Sequence, residues 1–171
     1  ESGFNTKAVS YAKAIGLTQV TELANKHIRR KYHKWKSDKR IKTLPVPVIR
    51  ALIQIGKIDK KNDWRLDKKK SVLGGIEYIK YLNKYWQGNI GLLDRIYGEE
   101  SHPAQIISEL MIASYNSGAF RVKTALMRKG VNWQHANNLK EARKYLGKVK
   151  SYCYHFSNEQ GVDYEKQASN L

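Results

Sequence analysis

The chain has 171 residues, of which 32 are lysine or arginine and 15 aspartate or glutamate, with a single cysteine. That length suits one domain able to bury roughly 70% of its unfolded surface, and a lone thiol excludes an internal disulfide framework. The net charge of +17 points to a polyanionic partner: nucleic acid, anionic lipid, or the carboxylate- and phosphate-bearing polymers of a cell wall.

In chain order, Val20, Leu23, Ala24, His27, Ile28, Tyr32 and Trp35 recur at three-to-four spacing. This predicts an amphipathic helix with Gln19 at its start and lysines and arginines on its outer side. Leu44-Pro45-Val46-Pro47 interrupts the pattern, and Val48, Ile49, Leu52 and Ile53 predict a short second helix ending near Gly56. A charged loop follows to about Arg65. Asp67 is a candidate N-cap for a helix carrying Val72, Ile76, Ile79 and Leu82 toward Trp86. Gly74 and Gly75 inside it cost helix stability, about 1 kcal/mol each, and predict close approach of another helix.

Ser101-His102-Pro103 reads as a cap with proline in the first turn, followed by the apolar stripe Ile106, Ile107, Leu110 and Met111. A further helix is predicted over about Phe120 to Arg128, and a last one carries Leu139, Ala142, Leu146, Val149, Cys153 and Phe156. Among the aromatics Tyr152, Tyr154 and Phe156, Cys153 is expected to be a buried structural thiol. There is no internal repeat and no convincing strand. The fold class is therefore all-α, with a domain over 1–156 and a polar tail over 157–171.

Charge is concentrated in residues 26–70, which hold 17 of the 32 basic side chains and four of the 15 acidic ones, a local excess of +13. Arg29, Arg30, Lys31, Lys34, Lys36, Lys39, Arg40 and Lys42 are interleaved with Tyr32 and Trp35. Such a run serves as a solvated face, as an anchor for an anionic cell-wall polymer, or as a nucleic-acid or lipid surface; the wall polymer is the expected partner and nucleic acid is not. No metal site is predicted, since the five histidines are scattered, and His27 and His33 do not share a helix face. No cofactor motif is present, and Glu99-Glu100 reads as a solvated loop pair. No run of about 18 apolar residues exists to span a membrane, and no basic-then-apolar leader precedes Glu1.

Three islands carry the chemistry: Glu1-Ser2-Gly3-Phe4-Asn5, then Ala14-Ile15-Gly16-Leu17-Thr18-Gln19, and much later Ser114-Tyr115-Asn116-Ser117-Gly118. In order and rough spacing they resemble the motifs of the soluble lytic transglycosylase family, whose goose-type-lysozyme-like domains cleave the glycan strands of bacterial peptidoglycan. Gly75, Tyr78 and Ile79 agree with a further family pattern, as does Glu141-Ala142-Arg143-Lys144-Tyr145 with its Glu-Thr-Arg-X-Tyr segment. The resemblance implies a lysozyme-like helical fold with a cleft and one catalytic carboxylate, Glu1, acting as acid and then base. By motif position, Ser10 would sit near the acetamido group, Gln19 would contact a sugar hydroxyl, and Tyr115 would orient the glutamate. Asn116 would shape the turn beside the cleft, and Glu141 and Tyr145 would line a sugar subsite. The plainer alternative for Gln19, Asn116 and Arg143 is a capping or core-satisfying group, and for Glu141 a structural reading weighs as much as the functional one.

A single acid must be protonated near neutral pH, against a reference value of about 4.3, and an apolar wall, with Phe4 as a candidate, would achieve this by burial. Thr18 stands where the family usually has methionine and Ser117 where alanine is common, which bears on whether a deacetylated glycan is accepted. In the family a helix precedes the glutamate, so a truncated or separately numbered piece is the expectation here. The implied activity is cleavage between N-acetylmuramic acid and N-acetylglucosamine with a 1,6-anhydro product, by an exported monomer in the periplasm or cell envelope. The alternatives are a hydrolytic lysozyme, favoured if Glu141, Asp63 or Asp67 faced Glu1, and a non-catalytic wall-binding relative.

Overall fold

The computed structural model describes residues 3–98 and 103–160. Their regular structure is helical: α1 (Glu22–Lys31), α2 (Arg40–Thr43), α3 (Val46–Gln54), α4 (Lys68–Gln87), α5 (Ile90–Tyr97), α6 (Pro103–Ser117), α7 (Ala119–Lys129) and α8 (Lys140–Gln160), with three short 3₁₀ turns. The only extended pairing among the described residues is two isolated bridges, Val9 with Ile15 and Ile15 with Val20. The fold class is all-α, as the sequence predicts.

Two compact units are formed, one running to Tyr78 and the other from Ile79 onward. In the first, Val9, Ile15, Ile41, Ile49, Ile53 and Ile58 form a buried aliphatic cluster. Thr21 caps α1 by accepting from the Ala24 amide, while Glu22 in the first turn and Arg29, Arg30 and Lys31 in the last complement the helix dipole. The helix stops at Lys31, one turn short of its predicted end at Trp35. Tyr32 instead stacks on Trp35 with centroids 4.1 Å apart, and Trp35 leans on the buried Trp64 at 4.9 Å, so ring packing turns the chain back. The α3 helix follows its predicted course and ends before Gly56, whose φ of +73° suits a residue without Cβ. Asp67 caps α4 by accepting from the Lys70 amide at 3.0 Å.

The second unit is built around Trp86, Leu93, Leu110, Val122, Leu126, Trp133, Leu139, Ala142 and Leu146. Its buried indoles are satisfied: Trp86 donates to the Ser114 hydroxyl at 3.0 Å and Trp133 to the Tyr97 hydroxyl at 2.9 Å. Burial pushes the Tyr97 phenol up, against the hydrogen bond from Trp133. The α5 helix is not predicted from the sequence, where only Leu93 becomes fully buried. Leu139, just before α8, and Ala142 and Leu146 within it are buried as predicted, but Cys153 and Phe156 are exposed. The buried thiol expected at Cys153 is thus overturned, because the apolar cluster beneath α8 includes nothing beyond Leu146. The Ser101-His102 cap, the Glu99-Glu100 pair and residues 161–171 of the tail lie outside the described residues, whereas 157–160 continue α8.

Candidate functional site

The segment from Asn5 to Val20 is non-helical and stitched by short-range bonds. The Asn5 side chain accepts from the Lys7 amide at 2.8 Å, and Ser10 pairs with Ala14 twice: its amide donates to the Ala14 carbonyl, and its hydroxyl oxygen accepts from the Ala14 amide, both at 3.0 Å. Val9, Ile15 and Val20 point into the core between these turns. Ser10 therefore shapes a turn whatever else its hydroxyl does.

Gln19 lies two residues before the α1 cap, in a turn with φ +49°, not at the helix start predicted for it. Its side-chain amide donates to the Gly16 carbonyl at 2.8 Å and the Ala8 carbonyl at 3.3 Å. Those bonds hold a non-glycine residue in the left-handed region, where a side chain is ordinarily disfavoured. Gly16 has φ +80°, and a Cβ there would run into the Arg65 carbonyl. Only glycine fits, for both reasons.

The same turn is fastened to α4. The Thr18 hydroxyl donates to the Ser71 carbonyl at 2.8 Å and lies 3.1 Å from the Ser71 hydroxyl, while the Thr18 amide donates to that hydroxyl at 3.4 Å. A Cβ added to Gly75 would come within 2.9 Å of the Thr18 methyl, and one added to Gly74 would overlap the Trp64 ring. The paired glycines thus admit the 16–19 turn and a tryptophan, where close approach of another helix is predicted from the sequence. Beside the turn, Leu17, Lys68, Lys69, Val72 and Leu73 line an open, apolar hollow.

Behind the turn lies a buried polar network that sequence reasoning misses. Arg65 and Asp63 are both fully buried and joined by two bonds, at 2.9 and 2.8 Å. Arg65 also reaches the Glu22 carboxylate at 3.2 Å and the Ser37 hydroxyl at 3.4 Å, and Asp63 accepts from the Asp38 amide at 3.0 Å. Asn25 accepts from the Trp64 indole and donates to Ser37, each at 2.8 Å. A buried ion pair is tolerated only when its remaining donors and acceptors are met in this way. The available signal is Trp64 in the middle of a charged loop, an aromatic that a solvated loop has no use for.

Glu1 lies outside the described residues. Asp63 is committed to Arg65, and Asp67 caps α4; each already has a structural task. Phe4, the candidate apolar wall, is 92% exposed among the described residues, with φ +60°. No group of three or more metal-ligating side chains gathers among the described residues.

In the second unit, Tyr115 and Asn116 occupy the last turn of α6, both half-buried. The Gly118 amide closes that turn on the Ser114 carbonyl at 2.8 Å, and φ +86° at Gly118 lets α7 begin one residue later in a new direction. Ser117 donates to the Asn116 side-chain oxygen at 3.2 Å. Glu141 is exposed in the first turn of α8, and Tyr145 is half-buried one turn on. Arg143 lies 3.2 Å from the His135 ring nitrogen.

Residues 1–45 match the Transglycosylase SLT domain. The SLT match spans Glu1, Ser10 and the Gly16–Gln19 turn and stops before the Tyr-Asn-Ser-Gly turn. No curated protein and no solved structure matches the chain. At the family level, SLT domains are transglycosylases that cleave glycosidic bonds in peptidoglycan, a polymer of the cell envelope. Among the described residues no helix is long and apolar enough to cross a membrane.

Proposed function

We propose that this chain is a peptidoglycan lytic transglycosylase that cleaves the β-1,4 bond between N-acetylmuramic acid and N-acetylglucosamine in the periplasm or cell envelope, as a monomer. The observation that carries the reading is the SLT match over residues 1–45, together with a Gly16–Gln19 turn that is braced on two sides. Glu1 is the acid and base. Its carboxylic proton passes to the bridging oxygen as the bond to the muramic acid anomeric carbon breaks. The carboxylate then takes the proton of the same sugar's 6-hydroxyl, whose oxygen bonds to the anomeric carbon and closes the 1,6-anhydro ring. An internal nucleophile has a high effective molarity, so the protein's task is chiefly to position the sugar.

In this reading, Gln19 offers its side-chain oxygen to a sugar hydroxyl, its amide protons being held by Gly16 and Ala8. Ser10 lies near the acetamido group, Tyr115 orients the glutamate, and Asn116, Glu141 and Tyr145 contact the glycan. The hollow beside Leu17 suits the apolar face of a sugar ring. Anhydro formation is supported over hydrolysis because Asp63 and Asp67, two of the candidate second carboxylates, are engaged elsewhere and a retaining or inverting hydrolase ordinarily uses a pair. Release of soluble fragments from purified peptidoglycan tests the activity. The native chain is expected to release them and Glu1→Gln to release none; equal release by both would refute the assignment of Glu1.

A further inference from the structure

The segment 26–70 carries 17 basic residues and four acidic ones, and the structure gives every one of those acids an internal task. Asp63 is buried with Arg65. Asp38 binds the Arg40 guanidinium and backbone amide, and the guanidinium bond above all holds its carboxyl below the usual range. Asp59 accepts from the Lys61 amide and Asp67 from the Lys70 amide. Of the cations, Arg65 alone is buried. With Arg65 and Asp63 cancelling each other in the interior, the rest of the segment keeps the full excess of +13.

Moreover, the fold gathers these cations. Lys13 donates to the carbonyl of Lys42 at 2.8 Å, and Arg40 donates to the carbonyl of Lys57 at 2.9 Å. Each cation is thus anchored on the backbone of another cation-bearing residue, so three separate stretches bring like charges together around α2. Asp38 and Glu22 offset part of the repulsion at Arg40 and Lys42, and the remaining excess of positive charge opposes the gathering. A linear polyanion would neutralise several of them at once, with release of its counterions.

The aromatics beside the patch argue against a nucleic acid as that polyanion. Single-stranded nucleic acids use open aromatic faces for base stacking, but Tyr32 and Trp35 are stacked on each other, Trp35 also packs on Trp64, and the Lys31 ammonium lies over Tyr32. The two aromatics interleaved with the basic run are thus engaged with protein groups. We propose that Lys13, Lys39, Arg40, Lys42 and Lys57 form a docking surface for a phosphate-bearing polymer attached to the cell wall, holding the enzyme on its substrate. The choice of a wall polymer rests on the peptidoglycan reading above.

The test is sedimentation of the full chain with purified walls, intact or stripped of phosphate polymer, across a salt series. Lys39→Gln/Lys42→Gln/Lys57→Gln is compared with Lys84→Gln/Lys129→Gln/Lys148→Gln, which removes the same charge from exposed positions in the second unit. The native chain should bind intact walls about tenfold more tightly than stripped ones, and the first triple should lose that preference and flatten the log–log salt slope by about two. The second triple should bind as the native chain does. Equal binding to both wall types, equal losses in the two triples, or equally strong competition by duplex DNA at matched phosphate would each overturn the proposal. Cleavage of short soluble glycans, measured in parallel, should be unchanged by either triple. Its absence in the native chain would refute the enzymatic reading, while the wall-binding result would still stand by itself.

Discussion

The Thr18 hydroxyl lies 2.8 Å from the Ser71 carbonyl oxygen, and this bond fastens the turn carrying Gln19 to the first turn of α4. Where the resembled family usually places methionine, a side chain turned toward sugar, this chain uses the position to hold its own backbone. Thr18→Val keeps the shape but removes the hydroxyl shared with Ser71. It should cost about 1–3 kcal/mol, because Ser71 is buried and loses its partner. Thr18→Met should cost at least as much, since Gly75 leaves no depth for a longer chain. Urea unfolding of the two variants checks both.

Gly16 is the stricter requirement. In Gly16→Ala the new methyl meets the Arg65 carbonyl while the backbone stays at φ +80°, so steric and conformational costs add. The loss should exceed about 2 kcal/mol, and peptidoglycan cleavage should fall even below the melting temperature. A variant as stable and active as the native chain would show that the turn does not need this approach.

Arg65 is buried with Asp63, and removing one partner strands the other. Arg65→Met should destabilise by about 3–5 kcal/mol. Adding Asp63→Leu should recover part of it by removing the stranded carboxylate, and only part, because the Asp38 amide then loses its acceptor. A double-mutant cycle by denaturant unfolding measures the difference.

His27 gives the fold a pH dependence. Burial first, and then Arg30, lower its pKa from the ordinary 6.5, against a smaller upward pull from Glu77. The unfolded chain then takes up the proton first as the pH falls, so stability is full above 6.5 and declines as the pH drops toward the folded value. Unfolding free energies at about pH 7.5 and about pH 5 should differ less in His27→Gln than in the native chain.

Most of the helices were legible in the sequence because their apolar spacing is regular: the α3 stripe, the Asp67 cap of α4, the proline opening α6 and the Ala142–Leu146 face of α8 all appear where the pattern puts them. The departures have tertiary causes. Residues 32–35 keep helical spacing yet leave α1, because ring stacking on Trp64 outweighs propagation of the helix. Cys153 has apolar sequence neighbours but no core beneath it. Arg65 and Asp63 look like two more charges in a charged loop, and only long-range packing shows that they are interior. At the candidate site, the motif residues were legible from their order along the chain, while the bracing of Gly16 and Thr18 by Arg65, Ser71 and Gly75 depends on contacts some 50 residues apart in sequence.

The most direct test of the account is the mass of the sugars released from peptidoglycan by the native chain and by Glu1→Gln. Anhydro-muramic ends, one water lighter than hydrolysis gives and absent with the variant, are the predicted result. Reducing ends of full mass would contradict it and make water, not the 6-hydroxyl of the substrate, the nucleophile.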